Sequence, residues 1–210
     1  MKNKTVVVFI ILLFVCIAMN VFVLIKYQKV YQKYQSTEKE LADVKVWNSR
    51  LDGVYFNKKM EAISDNYPIP DLIIWDESNE YYNLSEILTQ KDKMAFYFSE
   101  THCFDCVKDA FNQIKNIPDS ITSKNYFILC NYANARHFQA FLKEYDLKIP
   151  IYNINGQSLN LPIERIESPF FFVVKSDLRS RQPFIPIKEI DNYLAEHLQS
   201  MNKKYWINSN

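Results

Sequence analysis

Residues 5 to 25, TVVVFIILLFVCIAMNVFVLI, are apolar apart from Thr5 and Asn20. About 20 helical residues at about 1.5 Å each cross a hydrocarbon core of about 30 Å, so this run is long enough to span a bilayer. It reads as an uncleaved signal anchor, because no small-x-small cleavage site follows it and it exceeds the core of a typical secretory signal. A lipoprotein signal would need a small residue just before the modified cysteine. Phe14 and Val15 precede Cys16 instead, and Cys16 reads as a small hydrophobe. Lys2 and Lys4 on one side face Lys26, Lys29 and Lys33 on the other, so charge counting leaves orientation open. The short basic head, residues 1–4, is the arrangement of an anchor that keeps its head inside. The expected topology is a single pass through the cell membrane, with residues 26–210 outside the cytoplasm on the periplasmic side.

From Lys26 to about Leu51 the chain is polar and carries apolar residues at helical spacing, and residues 26–63 are read as a helical stalk and linker. Written as heptads, Tyr27, Tyr34, Leu41 and Asn48 take one seam position and Val30, Thr37, Val44 and Leu51 the other. That broken pattern is weak support for a homodimer, and a monomeric spacer helix is the competing reading. Gly53 and Ser64-Asp65-Asn66-Tyr67-Pro68-Ile69-Pro70 are expected to end the helix. The globular domain is placed at 64–203 and a tail at 204–210. A formal net charge of +1 gives no basic face to neutralise phosphates, so nucleic acid is not an expected partner.

Within the domain, Leu72-Ile73-Ile74-Trp75 is a short apolar run and Asn83-Leu84-Ser85-Glu86-Ile87-Leu88 resembles a capped helix start. Met94-Ala95-Phe96-Tyr97-Phe98 has the composition of a strand covered on both faces, and runs through Ser99 to Cys106 into a helix with Val107, Ala110, Phe111 and Ile114 inward. A strand at Tyr126 to Cys130, a helix from Ala135 to Tyr145 and a short strand near Pro150-Ile151-Tyr152 continue the alternation. Such alternation implies a βαβ unit and an α/β fold. Phe170 to Val174 reads as another buried strand, and Ile187 to Met201 as a closing helix.

Cys103-Phe104-Asp105-Cys106 sits at the strand-to-helix junction. Cys-x-x-Cys serves both redox pairs and halves of zinc sites. Zinc would need two more thiolates or imidazoles. Cys130 ends a predicted buried strand, His137 and His197 lie on separate predicted helices, and His102 is awkwardly adjacent to Cys103. The redox reading has a mechanism, since unpaired N–H groups and the helix dipole at the junction favour a Cys103 thiolate. Cys103 would attack, and Cys106, one turn inward, would resolve the mixed disulfide. Phe104 and Asp105 occupy the two positions most able to tune the pair. The Asp105 carboxylate opposes thiolate formation, and a protonated His102 would favour it.

The order Pro-x-Pro, short strand, Asn-Leu-Ser-Glu-Ile-Leu, buried strand and Cys-Phe-Asp-Cys helix resembles the membrane-anchored thioredoxin-like proteins of the TlpA and ResA type, related to the redoxins. The resemblance covers about residues 68 to 200. It implies a thioredoxin-like fold, a central mixed sheet flanked by helices, joined here to a transmembrane helix and stalk. It also implies a cis-proline packed against the active-site disulfide, for which Ser168-Pro169 is the matching position. His102 stands where the family usually has tryptophan. Glu100 stands where a peroxiredoxin would have threonine or serine, so peroxidase activity is not expected.

The expected function is extracytoplasmic thiol-disulfide exchange on protein thiols or disulfides, fed by a membrane electron donor. The Cys103–Cys106 disulfide would be the redox group, with no cofactor and no metal. The alternative is a redox-inactive thioredoxin-like interaction module of a cell-envelope assembly.

Overall fold

The computed structural model describes residues 2–207 except 90, 146, 189 and 191, and of residues 2–9 the backbone only. Parts of three expected segments, the head 1–4, the tail 204–210 and the helix 187–201, therefore lie outside the described residues. The chain divides into two compact units, Met1–Leu51 and Asp52–Asn210.

The first unit is formed by helix α1, Lys2–Ser64, up to Leu51. Its apolar run is long and apolar enough to cross a membrane, and none of that run is buried by protein.

The second unit takes in the last turns of α1. The helix runs through Gly53 to Ser64 instead of ending near the glycine. A Cβ at Gly53 would lie 2.6 Å from Ile187 Cδ1 and 3.0 Å from Ile190 Cδ1, so this glycine permits close packing of a continuing helix. After it come β1 (Ile73–Trp75), β2 (Tyr81–Asn83), α2 (Leu84–Leu88), β3 (Lys93–Ser99), α3 (Phe104–Lys115) and α4 (Asp119–Asn125). Then follow β4 (Tyr126–Asn131), α5 (Ala135–Glu144), β5 (Ile151–Asn153), a 3-10 turn (Pro162–Ile166), β6 (Phe170–Val174), β7 (Ser180–Phe184), α6 (Tyr193–Asn202) and a π-turn (Lys203–Ile207).

The seven strands form one sheet in the order β2-β1-β5-β4-β3-β6-β7. Strands β3, β4 and β5 are parallel, and β6 pairs antiparallel with β3. Period-two alternation gives β3 two buried faces. Met94, Phe96 and Phe98 join the core with Val107 and Phe111 of α3, Phe138 and Phe141 of α5 and Leu198 of α6. Ala95 and Tyr97 join the other core, with Met60 of α1, Leu84 and Leu88 of α2 and Ile163 of the 3-10 turn.

The closing helix starts at Tyr193, later than the sequence pattern predicts. Asn192 has φ 59°, a left-handed conformation that a helix cannot continue through, so Ile187 and Ile190 lie in the loop before it.

The end of α1 is tied to β7 and the loop after it. Buried Asn57 donates from Nδ2 to Ile185 O at 3.0 Å and accepts from Ile185 N–H at 2.7 Å. Asp65 accepts from Gln182 N–H at 2.8 Å and pairs with Arg181 at 2.9 Å. Asn66 N–H donates to Ser180 O, and Ser180 N–H to Tyr67 O, so the chain after α1 covers the outer edge of the sheet.

Two predictions concern this packing. Asn57→Ala leaves a buried N–H and C=O of Ile185 unpaired, at about 1–3 kcal/mol per group, and is expected to lower stability by about 2–4 kcal/mol in urea unfolding of the detergent-solubilised chain. His197 stacks on Phe184 at 3.7 Å, and burial pushes its pKa down from 6.5 to about 4. Between those values the unfolded chain binds the proton more readily, so stability falls as pH drops from about 6.5 to about 4. His197→Phe is expected to flatten that part of the stability profile relative to the wild-type chain.

Candidate active site

Strand β3 lies in the middle of the sheet, and its carboxyl end feeds the turn that carries the cysteines. In that turn His102 N–H donates to Ser99 O at 3.1 Å, and Ser99 N–H donates back to His102 Nδ1 at 3.2 Å. Burial lowers the His102 pKa, against the charge of Glu167, and its ring meets Tyr97 edge-on at 5.9 Å. With Nδ1 accepting a backbone proton, the neutral imidazole closes the turn. The lowered pKa gives no cation beside Cys103 at neutral pH.

Cys103 is the N-cap residue of α3 and is exposed. Its Sγ accepts from Cys106 N–H at 3.4 Å, and its carbonyl accepts from the N–H groups of Cys106 and Val107. This is a helix start in which a sulfur takes the place of the usual capping oxygen. The hydrogen bonds from Cys106 lower the Cys103 pKa, while partial desolvation and the Asp105 carboxylate raise it. Cys106, one helical turn on, is half-buried. Its pKa is pushed up to about 11, first by desolvation and then by its contact with Cys103. The pair lies at 2.6 Å.

A cleft of about 720 Å³ opens beside the pair, lined by Cys103, Cys106 and Asp109 of the α3 side and by Ile187, Lys188 and Tyr193 of the loop and helix opposite. Lys188 Nζ stands 3.5 Å from Asp109 Oδ2, and its charge acts to lower the Cys106 pKa while Asp109 acts to raise it. Phe104 is 54% exposed, with its ring 6.2 Å from that of Tyr145, and so presents apolar surface next to Cys103.

Pro169 comes to the same end of the sheet. The antiparallel register that pairs Tyr97 with Phe170 sets the Ser168-Pro169 segment beside the carboxyl end of β3. The expected cis-proline is not found: no cis peptide bond occurs among the described residues, and Ser168-Pro169 is trans. Glu167, at φ 54°, caps the 3-10 turn just before this segment, and the X-Pro bond takes the trans form that X-Pro bonds prefer.

Asp109 and Lys188 were not singled out from sequence. Helical spacing from Cys106 points to Asp109, whereas nothing local marks Lys188, whose position depends on the loop. Cys130 is fully buried on β4 with its thiol donating to Tyr152 O, and burial raises its pKa well above the ordinary value. No group of three or more His, Cys, Asp or Glu side chains is placed to hold a metal ion among the described residues.

The mixed sheet with helices on both faces, and a Cys-x-x-Cys helix springing from its central strand, define a thioredoxin-like domain. A protein assigned as thiol:disulfide interchange protein DsbE from Chlorobium tepidum matches it at a TM-score of 0.50 and 11% identity, over 66% of this chain and 97% of its own. A secreted disulfide oxidoreductase of Mycobacterium tuberculosis homologous to Escherichia coli DsbE matches at 0.43 and 13%, over 62% and 96%. The mitochondrial 2-Cys peroxiredoxin of Plasmodium falciparum matches at 0.44 and 12%, over 68% and 93%. At such identities the likeness is one of fold. No protein-family model and no curated protein matches the sequence.

Asp105→Asn removes the carboxylate that opposes the Cys103 thiolate. Alkylation of Cys103 by iodoacetamide at pH 6.5 is expected to speed up severalfold, with no change in the Cys106 rate at that pH.

Proposed function

We propose that this protein is a membrane-anchored thiol-disulfide exchanger whose working pair is Cys103 and Cys106. The observation that carries the reading is the asymmetry of the pair: an exposed sulfur at a helix start with a lowered pKa, backed one turn on by a shielded thiol with a raised one. That is the division of labour between an attacking and a resolving cysteine.

The Cys103 thiolate attacks one sulfur of a substrate disulfide, and the other sulfur leaves as a thiolate. Cys106 loses its proton and attacks Cys103, which breaks the mixed disulfide and releases the second substrate thiolate. The substrate gains two electrons and the pair is oxidised to a disulfide. The reverse sequence oxidises a substrate dithiol. Phe104 and the Ser168-Pro169 segment flank the attacking sulfur as surfaces for a protein substrate, while His102 and Asp105 set the geometry and charge around it.

In this reading residues 5–25 are the membrane span, the helix from there to Leu51 is the stalk, and the unit that begins at Asp52 is the catalytic domain. That domain is placed on the periplasmic side, where a membrane electron donor would return the pair to the dithiol.

Cys106→Ala is expected to trap substrates as mixed disulfides with Cys103, visible as reducible adducts on gels. The Cys103→Ala, Cys106→Ala double variant should lose both trapping and function in cells. A double variant that behaves as wild type would make the domain a redox-inactive interaction module. Desolvation holds the Cys106 pKa above its ordinary value, so the resolving step should quicken steadily as pH rises between pH 7 and 9. A pH-independent rate in stopped-flow measurements would count against Cys106 as the resolving thiol.

A further inference from the structure

We propose that the span and stalk pair in parallel with a second copy of this chain along one unbroken heptad seam, to which Cys16 and Asn20 contribute inside the bilayer. This rests on the reading of residues 5–25 as a membrane span, and does not depend on the redox reading.

The seam of the stalk continues backwards without a register break. Stepping by seven from Tyr27 gives Asn20 and Leu13, and stepping from Val30 gives Val23 and Cys16. Helix α1 is continuous over this whole stretch, and every seam residue from Leu13 to Leu51 is exposed. A strict seven-residue repeat drifts by about 20° per heptad on a straight helix, so two such helices keep their seams together by supercoiling.

Asn20 is the one strongly polar side chain in the apolar run. It gives one amide proton to Cys16 O at 2.8 Å, and its second proton and carbonyl oxygen can bond across a helix pair. Of the positions this residue could occupy, it falls on the seam of the stalk, as does Asn48 further on. Single buried asparagines at this heptad position fix register in paired helices.

The flanking charges select the partner. In a parallel in-register pair, a residue just before one seam position faces a residue five further along the other chain. Here Lys33 would face Glu38 and Glu40 would face Lys45, both attractive, and symmetry doubles each pair. Among the described residues none of these four has an ion pair within its own chain. Two copies entering one membrane from the same side also run parallel, which agrees with this choice.

The test uses the full chain in isolated membranes, with Cys103→Ser and Cys106→Ser, and with buried Cys130 left in place. Copper phenanthroline oxidation should link Cys16 to Cys16 of the second copy. In a Cys16→Ala background, Val30→Cys and Val44→Cys on the seam should cross-link at least about fivefold more than Gln32→Cys and Lys39→Cys on the opposite face. Lys33→Glu and Glu38→Lys should each reduce the Val44→Cys product, and their combination should restore it. Equal cross-linking on both faces, no cross-linking, or a double charge exchange that fails to restore pairing would each overturn the proposal. Carbonate extraction of the chain from membranes would separately overturn the anchor reading.

Discussion

Strand β3 has no face toward water, and that burial organises the rest of the domain. A strand of this kind needs hydrogen-bonding partners on both edges and apolar layers above and below. Strands β4 and β6 supply the edges, in parallel and antiparallel register, while α3 and α5 cover one face and the last turns of α1 cover the other. Because α3 must lie on the sheet immediately after β3 ends, its first turn is held at the rim of the domain. Val107, Ala110, Phe111 and Ile114 anchor the inner side of that helix, which leaves Cys103 outside and Cys106 at the boundary.

Local electrostatics then divide the two sulfurs. Hydrogen bonds from the Cys106 thiol and then from its backbone N–H lower the Cys103 pKa, with desolvation and the Asp105 carboxylate working against them. Cys106 lies far enough inward that desolvation outweighs the help of Lys188. His102, which could have added positive charge, is used as an acceptor for the Ser99 N–H, so its contribution is to the shape of the turn.

The parts of this structure that were legible in the sequence are those whose signal is local. Met94 to Phe98 and Phe170 to Val174 are runs that only a doubly covered strand can accommodate, and the α3 periodicity fixes which side of the Cys-x-x-Cys helix faces in. The parts that were not legible depend on distant contacts. Gly53 reads as a stop until the side chains of Ile187 and Ile190 are seen against it. Lys188 reaches the cleft because the loop before it is pinned through Ile185 to Asn57, a contact across 128 positions that no sequence pattern announces. The late start of α6 follows from one left-handed asparagine, Asn192, and the 3-10 turn before β6 ends on another left-handed residue, Glu167. Neither conformation is marked by glycine.

The cap of α3 is itself one of the two sulfurs of the proposed exchange, which would join two equilibria that are usually separate. As a thiolate, Cys103 both carries charge and completes the helix start through the Cys106 N–H. Once its electrons are shared in a disulfide, the helix loses a charged acceptor at its first turn. By thermodynamic closure, whatever the helix contributes to the dithiol form moves the couple toward the oxidant end of the scale. Asp105 moves it the other way. Under the proposed exchange, a side chain that never touches an electron would help decide which way electrons run, and the melting temperature of the domain would become a gauge of its oxidation state.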